Sequence, residues 1–320
     1  MLTSLLYWAR RRLSAVQVAL ERYPPKRRGT ELLRGLRVAE GLLVAALALA
    51  AVRWAALFID GVEERVSTSS GFEMHLDLTD ALQLYIFLFG VWEPSTTALV
   101  ERLVGSGDVV IDVGAHVGYY SLLASRLGAK VSAFEADPEM ANRLKMNVEI
   151  NDLGSVEVQQ VAVASDQSGR VLHRGPRHNR GLSSTSPRWN LSDAGTVDSA
   201  RLSDLVDPTL LSRVCLVKID VEGAEPDVLA GMEDMWSQLS PDAVVLLEVS
   251  PRWWSEKTDI NDLLGAARAE GFQNWTIENS YSPLRYLTPS RHAEPVPVKG
   301  ELSNDVRRHD LVLARRRVWD

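Results

Sequence analysis

Short apolar, β-branched runs alternate with longer segments of helical spacing along most of this chain, and several of the runs end in an acid. Strands are predicted at 72–78, 109–112, 131–135, 156–163, 214–220, 243–249, 273–278 and 309–315. Apolar residues three and four apart predict helices at about 95–104, 117–127, 138–150, 226–237 and 259–270. This alternation implies an α/β fold built on a doubly wound, mostly parallel sheet. Residues 165–200, rich in glycine and arginine, read as an irregular connection, either a lid over a site or a mobile surface loop.

The first sixty residues follow a different pattern. Leu2, Leu5, Leu6, Ala9, Leu13, Val16 and Leu20 recur at helical spacing, "YPPKRRGT" at 23–30 breaks the helix, and a second helix is predicted from about Glu31 to Phe58. Its stretch Gly41 to Ile59 is 19 residues long and apolar except for Arg53, near the length of about 20 that spans a bilayer. Positive residues at 10–37 would stay in the cytosol and push everything after residue 60 outside. The expected structure is therefore an N-terminal helical hairpin that packs on the domain, a partner subunit or the membrane surface. The implied division is 1–64 for this basic and apolar helical region and 65–320 for a catalytic domain. No cleaved signal peptide is expected, because the apolar segment starts too late.

Charge sharpens that division. Residues 1–40 carry nine Lys/Arg and three Glu, a net of +6 against −7 for the whole chain, which leaves −13 on residues 41–320. So acidic a body argues against nucleic acid as a partner. The basic arm suits anionic lipid or an acidic partner, and residues 1–60 are the candidates for peripheral membrane contact or self-association. The single cysteine, Cys215, lies in an apolar strand, which excludes an intramolecular disulfide and fits a reducing cytoplasm. Six scattered histidines show no paired metal-ligand spacing, so no metal is expected.

The chemistry gathers at three strand ends. In Val109-Val110-Ile111-Asp112-Val113-Gly114-Ala115-His116-Val117-Gly118, a strand delivers an acid and then two glycines four apart before a helix. A dinucleotide loop would read G-x-G-x-x-G and face a pyrophosphate. Here the carboxylate of Asp112 would repel a pyrophosphate and suits a cation, such as the sulfonium and ammonium of S-adenosylmethionine. The second strand ends in Glu135, 23 positions on, near the spacing of about 20 at which doubly wound folds place a ribose-binding acid. Asp137 and Pro138 then start a helix. The third strand, "LVKIDVEGAE" at 216–225, sets Lys218 and Asp220 on one face and adds Glu222. Glu225, before Pro226, reads as a helix cap.

Taken with "GVWEP" at 90–94, "FEADP" at 134–138 and "LLEVSP" at 246–251, these pieces resemble the FkbM family of S-adenosylmethionine-dependent methyltransferases over roughly residues 70–315. The resemblance implies a class I methyltransferase fold with an antiparallel last strand, and O-methylation of a sugar, polyketide or other natural-product or glycan hydroxyl. It implies a cofactor loop of Asp112, Gly114, His116 and Gly118, the ribose diol on Glu135, adenine near Val161 and Ala162, and Glu93 toward the methionine end. Asp220 and Glu222 would stand beside the methyl group, with Lys218 the third catalytic candidate. Two positions depart from the family pattern: His116 stands where Asn is usual, and Ser203 where Asp is common. An NAD-dependent oxidoreductase and a non-catalytic membrane-associated adaptor are the rival readings; cofactor binding and turnover separate them. The expected compartment is the cytoplasm, with membrane association as the variant.

Overall fold

The computed structural model describes residues 2–22, 31–55, 61–187, 191–288 and 294–319. They fall into two compact units: Met1–Ala98 with Arg177–Asn179 and Asn279–Ala293, and the rest of the chain.

The first unit opens with α1 (Leu2–Arg22) and α2 (Glu31–Ala55), which pack on each other as the predicted hairpin. Leu6, Ala9, Leu13, Val16 and Leu20 of α1 and Val44, Ala45 and Ala48 of α2 are buried, so one stripe of each helix faces inward. Among the described residues no helix is long and apolar enough to cross a membrane; residues 56–60, the end of the apolar stretch, lie outside the description. An antiparallel pair follows, β1 (Glu63–Ser67) and β2 (Glu73–Asp77). Then comes α3 (Ala81–Phe89), capped by Asp80, whose carboxylate accepts from the Gln83 amide, and closed by Gly90 at φ +74°. Tyr7 packs edge-on against Phe87 of α3, and its hydroxyl donates to Glu64 at 2.8 Å.

The chain enters the second unit within α4 (Pro94–Leu103) and builds a parallel core: β3 (Val109–Val113), α5 (Tyr119–Arg126), β4 (Lys130–Phe134), α6 (Pro138–Glu149) and β5 (Val156–Gln159). Short pieces follow: β6 (Ala162–Val163), β7 (Arg170–Arg174), β8 (Ser192–Val197), β9 (Ser199–Ala200) and α7 (Leu202–Leu205). The sheet then resumes with β10 (Val214–Ile219), α8 (Glu225–Ala230), β11 (Val244–Val249), β12 (Gln273–Thr276), β13 (Val296–Pro297) and β14 (His309–Ala314). The strand order is β13-β12-β14-β11-β10-β3-β4-β5. From β11 to β5 all neighbours are parallel, while β14 runs antiparallel to both β11 and β12. The expected doubly wound sheet with an antiparallel last strand is thus present. Its order reverses beside β3, where such sheets bind ligands at the carboxyl ends of their strands.

Three expectations need correction. The predicted strand 156–163 breaks: β5 stops at Gln159, the Val161 amide donates to Glu135 O at 3.1 Å, and β6 pairs with β9 in a separate ladder. Residues 165–200 are not irregular throughout, because β7 and β8 form an antiparallel pair; residues 188–190 lie outside the description. The helix predicted over 226–237 ends at Ala230, where the chain at Gly231 runs so close to Ala164 that a Cβ would meet its carbonyl oxygen at 2.1 Å.

Candidate functional site

Strand alternation decides what faces the site. Ile111 and Val113 of β3 and Val217 and Ile219 of β10 join the apolar core on one side of the sheet. Asp112 and Lys218 therefore share the other side, and they are register partners across the β3–β10 ladder. The Asp112 carboxylate is 1% exposed; Oδ2 accepts from the Ser121 hydroxyl of α5 at 2.6 Å, while Oδ1 has no hydrogen-bond partner among the described residues. Burial pushes the Asp112 pKa up, and Lys218 pulls it back down. Lys218 Nζ donates to Asp220 Oδ2 at 2.9 Å and sits 4.8 Å from the centre of the Tyr120 ring. A buried ammonium is costly alone; here an anion and an aromatic face receive it.

The glycine loop is shaped by contacts that only glycine permits. Gly114 has φ +78°, and a Cβ there would lie 1.9 Å from the Asp220 carbonyl oxygen. The loops after β3 and β10 touch through bare backbone at this point, and the Asp220 amide donates to Val113 O at 3.0 Å. Gly114 and Ala115 both donate to Phe134 O, at 2.9 and 3.1 Å, which ties the loop to the end of β4. His116 has φ +51°, a region where Asn, Asp and His are enriched among side-chain-bearing residues. That is a physical reason why His can stand where the family pattern has Asn.

Glu135 stands at the end of the neighbouring strand, β4. Its Oε2 accepts from the His116 amide and its Oε1 from the Asp137 amide, both at 2.8 Å. Burial nonetheless pushes its pKa up to about 7. Asp137 caps α6 and receives a bidentate pair from Arg174 of β7, at 2.8 Å each. Ala162 lies buried in β6, one residue past the Val161–Glu135 backbone bond.

Past β10 the acids are more open. Glu222 has φ +53°, and the carboxylates of Asp220, Glu222 and Glu248 come within 4.8 Å of one another. Glu248 ends β11 and lies 3.5 Å from Arg308, which also reaches Asp310 at 3.2 Å. Glu225 is no simple cap. Its carboxylate is fully buried, accepts from the Gly223 amide and from Trp254 Nε1, both at 2.7 Å, and burial raises its pKa to about 7. Asp112, Gly114, His116, Gly118, Glu135, Lys218, Asp220 and Glu222 thus gather at the carboxyl ends of β3, β4 and β10. Glu93 belongs to the first unit, where it has φ +39°, is 4% exposed and accepts from the Tyr281 hydroxyl at 3.1 Å.

Sequence reading missed three contributors. Glu248 carries the signal that revealed the others, an acid closing an apolar strand. Tyr120 was visible only as an apolar helix residue, and Trp254 gave no signal. Cys215 takes no part: it lines a cavity of 660 Å³ with Asp108 and Arg213 at the amino-terminal ends of β3 and β10, and burial pushes its thiol up to about 12.

The strand order and this loop define a class I methyltransferase fold. The methyltransferase FkbM domain model matches residues 112–273. The chain belongs to the FkbM methyltransferase family. It is 27% identical over 158 residues to Methyltransferase 1 of Beauveria bassiana, covering 43% of this chain and 64% of that protein. It is 28% identical over 171 residues to Methyltransferase sdnD of Sordaria araneosa, covering 44% and 66%, and 29% identical over 168 residues to the 2-O-methyltransferase NoeI of Sinorhizobium fredii, covering 45% and 68%. The chain thus spans about two thirds of the length of these curated relatives. A solved SAM-dependent methyltransferase from Agrobacterium tumefaciens overlaps at TM-score 0.42 and 12% identity, over 81% of this chain and 72% of that one.

Proposed function

We propose that this protein transfers a methyl group from S-adenosylmethionine to an acceptor hydroxyl. The observation that carries the reading is the unsatisfied, buried Oδ1 of Asp112 beside a glycine loop that leaves no room for a side chain. A buried acceptor without a donor is expensive, and a cationic ligand with amino groups supplies what it lacks. Glu135 stands one strand away with lone pairs left over for a ribose diol. The unfilled donor demand and the anionic lining fit this cofactor and do not favour a nicotinamide dinucleotide, whose pyrophosphate Asp112 would repel.

S-adenosylmethionine, when bound, supplies an electrophilic methyl group. The protein's own residues do the rest. Asp112, His116 and the glycines hold the cofactor's amino-acid end and nucleoside, Glu135 holds the ribose, and Ala162 lies toward the adenine. A hydroxyl is a weak nucleophile at neutral pH, so a base must take its proton as the new C–O bond forms. Asp220 takes it on Oδ1 while Oδ2 stays on Lys218. That ion pair keeps the carboxylate oriented, which makes Lys218 a positioning residue. Glu222 offers a second carboxylate to neighbouring acceptor hydroxyls.

Hydroxyl acceptors of the glycan or small natural-product class fit best, and the similarity to a 2-O-methyltransferase supports this. Nucleic acid fits poorly with the acidic body. The test is to incubate the full chain with methyl-labelled S-adenosylmethionine and a panel of glycosides, polyketide alcohols and RNA. Label in an alkali-stable ether on a hydroxyl compound supports the reading. Cofactor binding with label only in RNA overturns the acceptor, and no cofactor binding by folded protein overturns the whole proposal.

A further inference from the structure

Among the described residues, most of the exposed large hydrophobic side chains lie on the N-terminal hairpin. Nine of the thirteen exposed large hydrophobic residues belong to α1 or α2. In α2 they form a stripe: Leu32, Leu36, Leu43 and Leu47 are 75%, 59%, 62% and 52% exposed, and the exposed Ala39, Ala46 and Ala50 fill the gaps between them. Their spacing is that of a single helix face. The opposite face, Gly41, Val44, Ala45 and Ala48, is buried against α1 and the short helix Pro283–Leu287. Residues 41–50 of α2 are thus apolar on both faces, yet only one is covered.

The outer face of α1 has a different composition. Trp8, Arg11, Ala15 and Val18 follow at helical spacing, and all four are exposed. Arg12 and Arg37 flank the pair of helices with about half of each side chain in solvent, sharing Glu40 between them. Residues 1–40, which include α1 and the start of α2, carry +6 in an otherwise acidic chain. A second copy laid on this face would bring the like charges of Arg11, Arg12 and Arg37 together. An anionic surface with an apolar interior would satisfy both features at once.

We propose that the α1–α2 hairpin docks on an anionic phospholipid surface, lying in its plane with the Leu32–Leu47 stripe among the acyl chains. Trp8 seats at the headgroup level, and Arg11, Arg12 and Arg37 meet lipid phosphates. Such binding combines apolar burial with charge attraction, so it must respond to both salt and lipid charge.

The test is co-flotation of the full chain with vesicles of 30% phosphatidylserine in phosphatidylcholine, against phosphatidylcholine alone, at 0.05 and 0.5 M salt. The expected result is binding to the anionic vesicles that falls at high salt. It should weaken roughly tenfold in Leu36→Glu/Leu43→Glu, and about thirtyfold in Arg11→Gln/Arg37→Gln at about 1 kcal/mol per basic residue. All these side chains are exposed, and an unchanged circular-dichroism melt verifies the fold. Equal binding to both vesicles by wild type and Leu variant, or no binding to either, overturns the proposal. So does a dimer, seen by analytical ultracentrifugation, that Leu36→Glu/Leu43→Glu dissociates while vesicles bind nothing. Flotation is read without turnover, so it stands or falls apart from the methyl-transfer reading.

Discussion

At the cofactor end of the strand-end site, Asp112 and Glu135 are buried carboxylates, and burial raises both pKa values. Backbone amides and one hydroxyl hold them, and among the described residues no salt bridge does. Two strands from Glu135, Asp220 is 24% exposed and is held by an ammonium group on its own strand. The first arrangement suits recognition: rigid acceptors, dehydrated and incomplete until donors arrive. The second suits proton transfer, because the carboxylate is paired with a cation, reaches solvent and has one oxygen free of Lys218. The two halves meet where the loops after β3 and β10 touch, Gly114 against Asp220.

This contrast predicts that the halves respond differently to substitution. The largest effect is expected for Asp220→Asn, which removes the base and leaves the cofactor side intact: kcat should fall by about 10²–10⁴, with cofactor Kd within a fewfold of wild type. Equal losses in kcat and affinity would merge the two halves. Gly114→Ala strikes the seam. The positive φ and the clash with a backbone oxygen should together cost about 2–4 kcal/mol, read as a lower Tm and weakened cofactor binding.

Glu135→Gln tests the recognition half. Loss of charged hydrogen bonds to a diol should weaken cofactor binding by about 1.5–3 kcal/mol, with kcat at saturating cofactor changed little. Its pH dependence follows from the raised pKa. The diol donates to the ionised carboxylate, so affinity should fall as pH drops through about 7 and level off above it. The same raised pKa makes Glu135 oppose folding as pH climbs from the unfolded value toward 7, so its stability contribution is more favourable on the acid side. Glu135→Gln should flatten both trends. The smallest effect belongs to Trp254→Phe, which removes one donor from buried Glu225; about 0.5–1.5 kcal/mol of stability should be lost, measured by denaturant titration.

Much of this was legible in the sequence, for a physical reason. A parallel strand buried on both faces writes itself as an apolar run, and an acid at its end stands out, so β3, β4, β10 and the acids Asp112, Glu135 and Asp220 are readable. The Lys218–Asp220 pairing follows from period-two alternation alone. Contacts across the fold are not readable in this way. Glu225 reads as a cap in the sequence because its partner Trp254 is 29 residues away. The hairpin of β7 and β8 was hidden because its strands are short, polar and largely exposed. The break after β5 depends on pairing with β9, a distant segment with no signal of its own.

The most direct test of the central claim is calorimetric titration of S-adenosylmethionine into the full chain, beside Glu135→Gln and Asp220→Asn. The account predicts saturable binding that weakens at least tenfold in Glu135→Gln and stays within a fewfold of wild type in Asp220→Asn. Binding that ignores Glu135, or that needs Asp220 as much as Glu135, would contradict the division between recognition and chemistry on which it rests.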